Sequence, residues 1–332
     1  MGNDDSRDFR LADADGSVIA YLNPRHGMLR ITGRDALDLL NRITTNSVDS
    51  LAVGEVVSTV LTNPDARVID LLTLARLEDC IWCITSEGRA HTVVDWIDTF
   101  TFGEEISVED LSDSSALLLI GGSGVVDFLE LVEFTEEADL VTGHVATNGL
   151  RGFPVEVIRT DIGGADGYAV LGSREAVAAV SKLCYELGAS NASDNEWERY
   201  RVGNGMPKYG AEFGEFNNPL EARLTGVISD NKGCYTGQEV IARLQTYKKI
   251  QRALMSVTSI QPLESGMKLI GQEKDAGTIT SAATVPDGSS IALALVRTAF
   301  AQEGTELSLG EIPSATVVLH DPLYALRTES SS

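Results

Sequence analysis

The residue types most able to do chemistry meet in one loop, Lys232-Gly-Cys-Tyr-Thr-Gly-Gln-Glu239, which has a glycine on each side of its Cys-Tyr-Thr core. Glycine lets the backbone turn sharply and lets a ligand come close. A neighbouring cation and a helix N-terminus, expected near Gly237, both favour the thiolate form of a cysteine. We therefore predict that Cys234 is a reactive thiol that Lys232 helps to activate. The alternative is a buried, inert cysteine.

The segment 231–252 around this loop is basic, although the chain as a whole is acidic. The sequence has 49 acidic and 26 basic residues and a net charge of −23. Such a surface is a poor match for nucleic acid or anionic lipid, so we expect neither DNA nor a membrane as a partner. We expect the basic segment to bind an anionic ligand. The alternative is a solvated helix whose charges pair with acids elsewhere. Its basic residues are Lys232, Arg243, Lys248, Lys249 and Arg252.

The excess of acidic residues has a physical cost at low salt. Repulsion among the surplus carboxylates strains the compact state, whereas at molar salt the Debye length falls to about 3 Å and the repulsion is screened. We interpret the composition as halophilic, an adaptation to a salty cytoplasm; the alternative is an ordinary acidic protein. The N-terminus lacks the regions of a signal peptide, so we expect a cytoplasmic location.

The other cysteines and the histidines are expected to be structural. Cys80 and Cys83 lie three residues apart in a predicted strand, where their side chains point to opposite faces and cannot share a metal ion. Cys184 lies on the apolar stripe of a predicted helix, as buried cysteines often do. The histidines have no metal-ligand spacing, so we expect no metal site. They are His26, His91, His144 and His320.

Helical and strand patterns alternate along the chain and predict an α+β protein of three parts. Residues 1–105 and 106–250 each mix strands with amphipathic helices, which indicates two α+β units of similar size; the spatial domains need not follow these boundaries. Residues 251–328 contain short Val/Thr/Ile/Leu strands between glycine turns, which predicts a small β-barrel. We expect the protein to be a monomer.

The eight-residue loop resembles the signature of the YgfZ-type folate-binding proteins, which assist iron–sulfur cluster assembly or repair and are related to the glycine-cleavage T protein. The resemblance implies a T-protein-like arrangement, with the two α+β units around a central folate channel and the barrel at the C-terminal end. It also implies tetrahydrofolate, or a one-carbon-substituted folate, as cofactor, and iron–sulfur enzymes or assembly proteins as partners. Further similar stretches are Ile31–Ala36, Leu61–Asp70, Gly205–Glu212, Pro219–Ala222 and Gly277–Ser281.

On this resemblance, the reactive amines of the folate would lie near Asp70 and Cys234. The carboxylate could accept a proton, and the thiolate could accept a one-carbon unit or contact a cluster iron. We expect Tyr235 and Trp197 to be walls of the pterin slot and the basic residues 248–252 to hold the anionic glutamate tail. The expected folate-binding residues are Asn63, Trp197, Glu198, Tyr209, Tyr235, Gln238, Glu239, Arg243, Lys248, Lys249 and Arg252.

Three positions depart from the T-protein pattern. T proteins typically carry two adjacent acids in the second hairpin, one placed to act on the folate amine, whereas here Asp70 is followed by Leu71. T proteins also have a pterin-holding Glu where this chain has Gly203, so that another acid of the same helix, Glu196 or Glu198, would have to replace it. The loop cysteine stands where T proteins have Asp.

These departures leave three hypotheses for the function. They favour a folate-dependent accessory factor for iron–sulfur enzymes that uses Cys234. The second hypothesis is an aminomethyltransferase acting on a lipoyl carrier protein, and the third is a folate-binding regulator without chemistry. Whether the protein is an enzyme stays open. If it is, the resemblance implies a tetrahydrofolate-dependent aminomethyl transferase.

Overall fold

The structure, a computed structural model, describes residues 17–322 except 24, 133, 151, 163–164, 248, 311 and 313–314. Its strands are β1 (Ile19–Asn23), β2 (His26–Thr32), β3 (Val56–Thr62), β4 (Val68–Arg76), β5 (Ile81–Glu87), β6 (Ser107–Asp110), β7 (Ser115–Gly121), β8 (His144–Leu150), β9 (Phe153–Ile162), β10 (Ala165–Ser173), β11 (Ser190–Asn191), β12 (Arg252–Ser259), β13 (Lys268–Gly271), β14 (Lys274–Thr284), β15 (Ser290–Arg297), β16 (Glu306–Leu309) and β17 (Thr316–His320). Its helices are α1 (Ala36–Ile43), α2 (Ala90–Thr99), α3 (Val125–Leu131), α4 (Thr135–Ala138), α5 (Arg174–Glu186), α6 (Asp194–Gly203) and α7 (Gln238–Tyr247), with a 3-10 turn at Thr225–Val227.

A five-stranded antiparallel sheet, in the order β3-β4-β5-β2-β6, forms the first α+β unit. Helices α1 and α2 cover one face of it, because the apolar residues of each helix recur on one side. Leu39 and Leu40 of α1 pack with Leu72 of β4 and Cys83 of β5 in one core. The side chains on the opposite face of the sheet are therefore free to line another surface.

A six-stranded sheet, in the order β11-β1-β7-β10-β9-β8, forms the second unit, and its core includes residues of α3 and α5. Cys184 of α5 is fully buried in this core, as expected. The boundary predicted at residue 105 does not follow the sheets. Strand β1 pairs with β7 in the second sheet, and β6 pairs with β2 in the first. Strand pairing joins segments that are distant in the chain, which local patterns do not reveal.

The faces of the two sheets that carry no helix turn toward each other. Met28 and Ile84 of the first sheet pack with Leu117, Ile158 and Leu171 of the second. This contact fills only part of the space between the sheets, and the remainder forms the cavity described below.

The C-terminal part is a closed antiparallel barrel, in the order β12-β15-β14-β13-β16-β17. Alternate side chains such as Met255, Ile279 and Val317 fill its interior. Helix α6 packs against the outside of the barrel, where Val202 contacts the cluster containing Leu293. The α+β class, the two units around a central cavity and the barrel confirm the fold predicted from the sequence.

Cys80 and Cys83 are free and buried, in agreement with a structural role. Among the described residues, no three His, Cys, Asp or Glu side chains are grouped so that they could hold a metal ion. Within the same residues, no helix has the length and apolar character needed to cross a membrane.

Candidate functional site

A cavity of about 550 Å3 lies where the two sheets meet α6 and the loop that follows it. Ligand pockets in proteins are typically about 300–1,000 Å3, so this space is large enough for a cofactor-sized molecule. The sheets supply both apolar and polar side chains, and α6 with residues 206–213 supplies aromatic and charged ones. The apolar lining from the sheets consists of Leu71, Ile84, Leu117, Leu119, Ile158 and Ala169.

The hydrogen bonds at the start of α6 determine which of the two acids, Glu196 or Glu198, can face the cavity. Ser193 and Glu196 form a capping box, in which each side chain accepts a hydrogen bond from the backbone amide of the other residue. These bonds satisfy amide groups that a helix N-terminus otherwise leaves unpaired, and they hold Glu196 at the helix end. Of the two acids proposed to replace the pterin-holding Glu, only Glu198 lines the cavity.

An aromatic pair forms one wall of the cavity. The rings of Trp197 and Tyr21 are parallel within 2° and their centroids are 4.8 Å apart. The Tyr21 hydroxyl donates to Asp194 Oδ1 at 3.0 Å, and Arg25 Nη2 donates to Asp194 Oδ2 at 3.0 Å. The wall is therefore fixed by hydrogen bonds at its rim. A flat apolar surface with a polar edge suits a planar heterocycle.

A buried ion network joins α6 to the barrel beside this wall. Arg201 donates through Nε to Glu198 Oε2 and through Nη1 to Glu212 Oε2, both at 3.0 Å. Its Nη2 donates to Ser281 Oγ of β14 at 2.7 Å. Glu212 also accepts from the hydroxyls of Thr280 and Ser281. Although burial opposes it, the hydrogen bonds and charge of Arg201 lower the pKa of Glu198.

Tyr209 closes the cavity on the side of the following loop. The Arg89 guanidinium lies 4.3 Å from the centre of its ring, a cation–π contact. Phe213 packs edge-on against the same ring, with centroids 5.8 Å apart. Burial raises the pKa of the Tyr209 hydroxyl, while the Arg89 charge opposes the shift. The hydroxyl is therefore a neutral group that can donate or accept a hydrogen bond.

Asp70 lies next to the cavity but faces away from it. Successive side chains of a strand point to opposite faces, and it is Leu71 and Thr73 that line the cavity. Asp70 is fully buried on the helix side, where its carboxylate accepts from the amides of Leu71 and Ser86 at 2.9 and 3.0 Å. Burial raises its pKa to about 6, against these hydrogen bonds and the charge of Arg89. This placement does not fit the expectation that Asp70 acts on an amine in the cavity.

His26, which the sequence did not single out, lines the cavity at the start of β2. Its Nδ1 is 2.8 Å from the carbonyl oxygen of Thr85. Burial lowers the pKa of His26, although the hydrogen bond to Thr85 and the charge of Glu87 act in the opposite direction. A sequence signal existed: His26 shares a strand face with the buried Met28, and a polar residue on an apolar face indicates a specific contact.

The 232–239 loop lies apart from the cavity, and none of its residues lines it. Lys232 Nζ donates to the carbonyl oxygens of Asn41, Thr44 and Asn46, which lie at or just beyond the end of α1. Burial lowers the pKa of Lys232 to about 8, and the charge of Asp49 opposes the shift. An ammonium group has three donors, so these bonds leave none for the thiol of Cys234. Lys232 therefore anchors the loop rather than hydrogen-bonding to the thiol.

Two further contacts fix the same loop. Gly237 has a φ of +85°, and a Cβ there would lie 2.8 Å from the carbonyl oxygen of Asn63, so the close approach requires glycine. Thr62 Oγ1 donates to the carbonyl of Thr236 at 2.6 Å. Helix α7 begins directly afterwards, near the position predicted. Cys234, just before these contacts, is exposed at the protein surface.

Of the remaining predicted folate-binding residues, none that the structure describes lines the cavity. Tyr235 is buried in a cluster with Ala66 and Ile241, so it is not a cavity wall. The side-chain oxygen of Asn63 accepts backbone hydrogen bonds within its own turn. Gln238 and Glu239 open α7.

The basic segment is partly neutralised by neighbouring acids. Arg243 pairs with Glu239 at 3.2 Å, and Arg252 pairs with the buried Glu221 at 3.1 Å. For these two arginines the alternative interpretation, pairing with acids, is the one observed. Lys249 is exposed and has its ammonium 5.7 Å from a ring centre, and Lys248 lies outside the described residues.

The family of this fold is established by comparison with known proteins. The family model described as the GCVT N-terminal domain matches residues 25–232. The chain belongs to the GCVT family. It is 27% identical over 315 residues to a chloroplastic protein of Arabidopsis thaliana named as a candidate transferase, covering 94% of this chain and 73% of that protein. It is 27% identical over 308 residues to an aminomethyltransferase of Moorella thermoacetica, covering 88% of this chain and 82% of that protein.

A solved GCVT-type structure has the same fold. The glycine cleavage system aminomethyltransferase T of Bartonella henselae superposes with a TM-score of 0.81 at 19% identity, covering 95% of this chain and 88% of that chain. Within this GCVT-type fold, the cavity between the two units and α6 is the candidate site for a ligand. Of the residues predicted to bind one, Trp197, Glu198 and Tyr209 line it.

Proposed function

We propose that this GCVT-family protein binds a reduced folate in the central cavity and supports iron–sulfur enzymes through its exposed Cys234 loop. The observation that carries the proposal is the cavity itself, with its aromatic wall at Trp197 and polar groups among its lining residues. The assignment of the ligand rests on membership of the GCVT family together with this chemistry.

The residues present fit a folate. A pterin is flat and carries several N–H donors, and Trp197 with Tyr209 would enclose such a ring. Glu198 would receive its donors. Arg201 donates to both oxygens of Glu198, and each carboxylate oxygen has a second acceptor position. When bound, tetrahydrofolate supplies nitrogen atoms that carry a one-carbon unit.

Two departures from the T-protein pattern argue against aminomethyl transfer as the reaction. Leu71 is the residue that faces the cavity at the hairpin where T proteins carry their second acid. A leucine can neither accept nor donate a proton, so this position cannot act on a bound amine. Gly203 likewise leaves the pterin-holding position without a side chain. The cavity keeps the properties of a binding site but lacks these two T-protein groups.

Cys234 is the feature that favours the iron–sulfur role over simple binding. It is the one exposed cysteine of the four, and thiolates are the ligands of iron–sulfur clusters. A single cysteine cannot hold a cluster, so the proposed role is to serve client proteins that bring their own ligands. The alternative is aminomethyl transfer, which the names of several relatives favour. Turnover with a loaded lipoyl carrier protein would support that alternative.

The folate part of the proposal is tested by direct binding. Titration of the purified chain with tetrahydrofolate, followed by heat or by tryptophan fluorescence, should give saturable binding. Trp197→Leu should weaken it, because the variant removes the aromatic wall. Trp96→Leu is the matched control, since Trp96 lies on α2, packs against Phe100 and does not line the cavity. Absence of binding at millimolar ligand would contradict the proposal.

The iron–sulfur part is tested in cells. In a strain deleted for the chain's gene, activities of iron–sulfur enzymes should fall, and the wild-type chain should restore them. Cys234→Ala should fail to restore them while binding folate as the wild type does. Cys184→Ala is the control for loss of a thiol from the core. Full rescue by Cys234→Ala would leave the folate-binding regulator as the better description.

A further inference from the structure

The cavity offers a ligand a neutral acceptor besides its carboxylates and hydroxyls. Its carboxylates are all paired with cations: Asp194 and Glu87 with Arg25, and Glu198 with Arg201. His26 differs from them. Within the described part of the chain, its Nδ1 is bonded to the Thr85 carbonyl and no donor is bonded to its Nε2.

The hydrogen bond to Thr85 fixes the tautomer of the ring. A carbonyl oxygen can only accept, so the Nδ1 of His26 carries the proton. In a neutral imidazole the other nitrogen is then an acceptor with a free lone pair. The ring is kept neutral mainly by its burial among protein atoms. His26 thus presents a fixed acceptor atom from a rigid strand.

His26 also lies close to the position where the expected acid is missing. In the sheet order β4-β5-β2, the strand of His26 is two strands from that of Leu71. Neighbouring strands are about 4.8 Å apart, so the two positions are about 10 Å apart across the sheet. A ligand that spans this cavity can contact both residues, since both line it.

We infer that His26 is a ligand-positioning residue of the cavity, whose Nε2 accepts a hydrogen bond from an N–H group of the bound ring. This inference rests on the proposed function, because the ligand is taken to be a flat heterocycle with N–H donors. The charged groups around the imidazole are Arg25 and Glu87, with Asp194 reaching the same arginine from α6. They pair with one another, so they modulate the ring without occupying Nε2.

The first test needs no variant. Histidine nitrogen NMR of the free protein should show His26 as the Nδ1–H tautomer at pH 7.5, with an unprotonated Nε2. Tetrahydrofolate should shift the Nε2 resonance in the direction of a hydrogen-bonded acceptor. An Nε2–H tautomer, or an Nε2 signal unchanged at saturating folate, would overturn the inference.

The second test uses two variants that separate the two ring nitrogens. His26→Asn places an amide nitrogen near the position of Nδ1, so the hydrogen bond to the Thr85 carbonyl is kept. The variant lacks the acceptor atom at the position of Nε2. We expect it to weaken folate binding at pH 7.5 by about 2- to 13-fold, the worth of one net hydrogen bond. His26→Gln places an amide oxygen near the place of Nε2 and should retain most of the affinity.

The dependence on pH distinguishes positioning from packing. Wild-type affinity should stay constant from pH 7.5 to 6.5 and fall only below that, because burial lowers the pKa of His26 from its ordinary value of 6.5 and protonation then converts the acceptor into a donor. Both variants should lack that component. His320→Asn, on β17 of the barrel, should behave as the wild type. Binding that is independent of pH and of His26 overturns this inference alone. A wild type that binds no folate at any pH contradicts the proposed function and removes the inference with it.

Discussion

Replacing Arg201 by Met tests the ion network that joins α6 to the barrel. The Arg201 side chain is 5% exposed and its partner Glu212 is 0% exposed. The variant leaves the Glu212 carboxylate buried without its cation. Removing one partner of a buried pair costs about 3–5 kcal/mol. Glu212 keeps hydrogen bonds from Lys208, Thr280 and Ser281, so we expect a loss near 3 kcal/mol in the free energy of unfolding.

The chain offers a matched control for this change. Arg297 pairs with Asp275 at 3.4 Å, but the two side chains are 58% and 52% exposed. Exposed pairs contribute about 0–1 kcal/mol, so Arg297→Met should change the free energy of unfolding by no more than that. Both variants remove one arginine, which keeps the change in net charge the same.

Urea unfolding, followed by tryptophan fluorescence and circular dichroism in the same buffer, measures the difference. A double variant, Arg201→Met with Glu212→Gln, removes the leftover charge and should recover part of the loss, because residues of one network are not additive. If Arg201→Met costs no more than Arg297→Met, the network does not hold α6 to the barrel and the reasoning from burial is wrong.

Three further predictions concern the thiol, the basic segment and the charge. Iodoacetamide should label the exposed Cys234 well before Cys184, whose pKa burial raises to about 12, and equal rates by mass spectrometry would contradict the exposure. Lys248→Glu with Lys249→Glu should weaken polyglutamylated folate more than the monoglutamate in a binding titration, because only the longer tail loses extra charge contacts; equal losses would assign the segment to another ligand. The melting temperature should rise from low to molar salt as repulsion is screened, and a flat profile would count against the halophilic interpretation.

The elements with strong local signals were predictable from the sequence. The glycine turns and short apolar strands after residue 251 gave a barrel, and the helix expected after Gly237 begins at Gln238. The apolar stripe of α5 predicts the core position of Cys184 for the same reason. These features depend on contacts between residues that are close in the chain, and the spacing of apolar residues along the sequence reveals such contacts.

The cavity was predictable only in part, because its lining depends on which way strands face. Asp70 and Leu71 are adjacent, and the register of β4 alone decides that leucine faces the ligand space. The sequence likewise does not show whether the basic residues are paired with acids, since Arg252 pairs with Glu221, which lies 31 residues away in the chain. The sequence does not distinguish a cavity wall from a core residue at Tyr235, because an aromatic residue in such a loop can be either; the structure buries it in the core.

The anchoring of Lys232 by three carbonyls has a consequence for how Cys234 can meet other molecules. The loop is seated on α1 and on the β3–β4 turn, so the thiol is presented outward from a stationary support. A thiol on an ordered loop loses little conformational entropy when a partner docks. Whatever reacts with this sulfur has to be brought to it, and the shape of the surface around α1 then decides which molecules can approach.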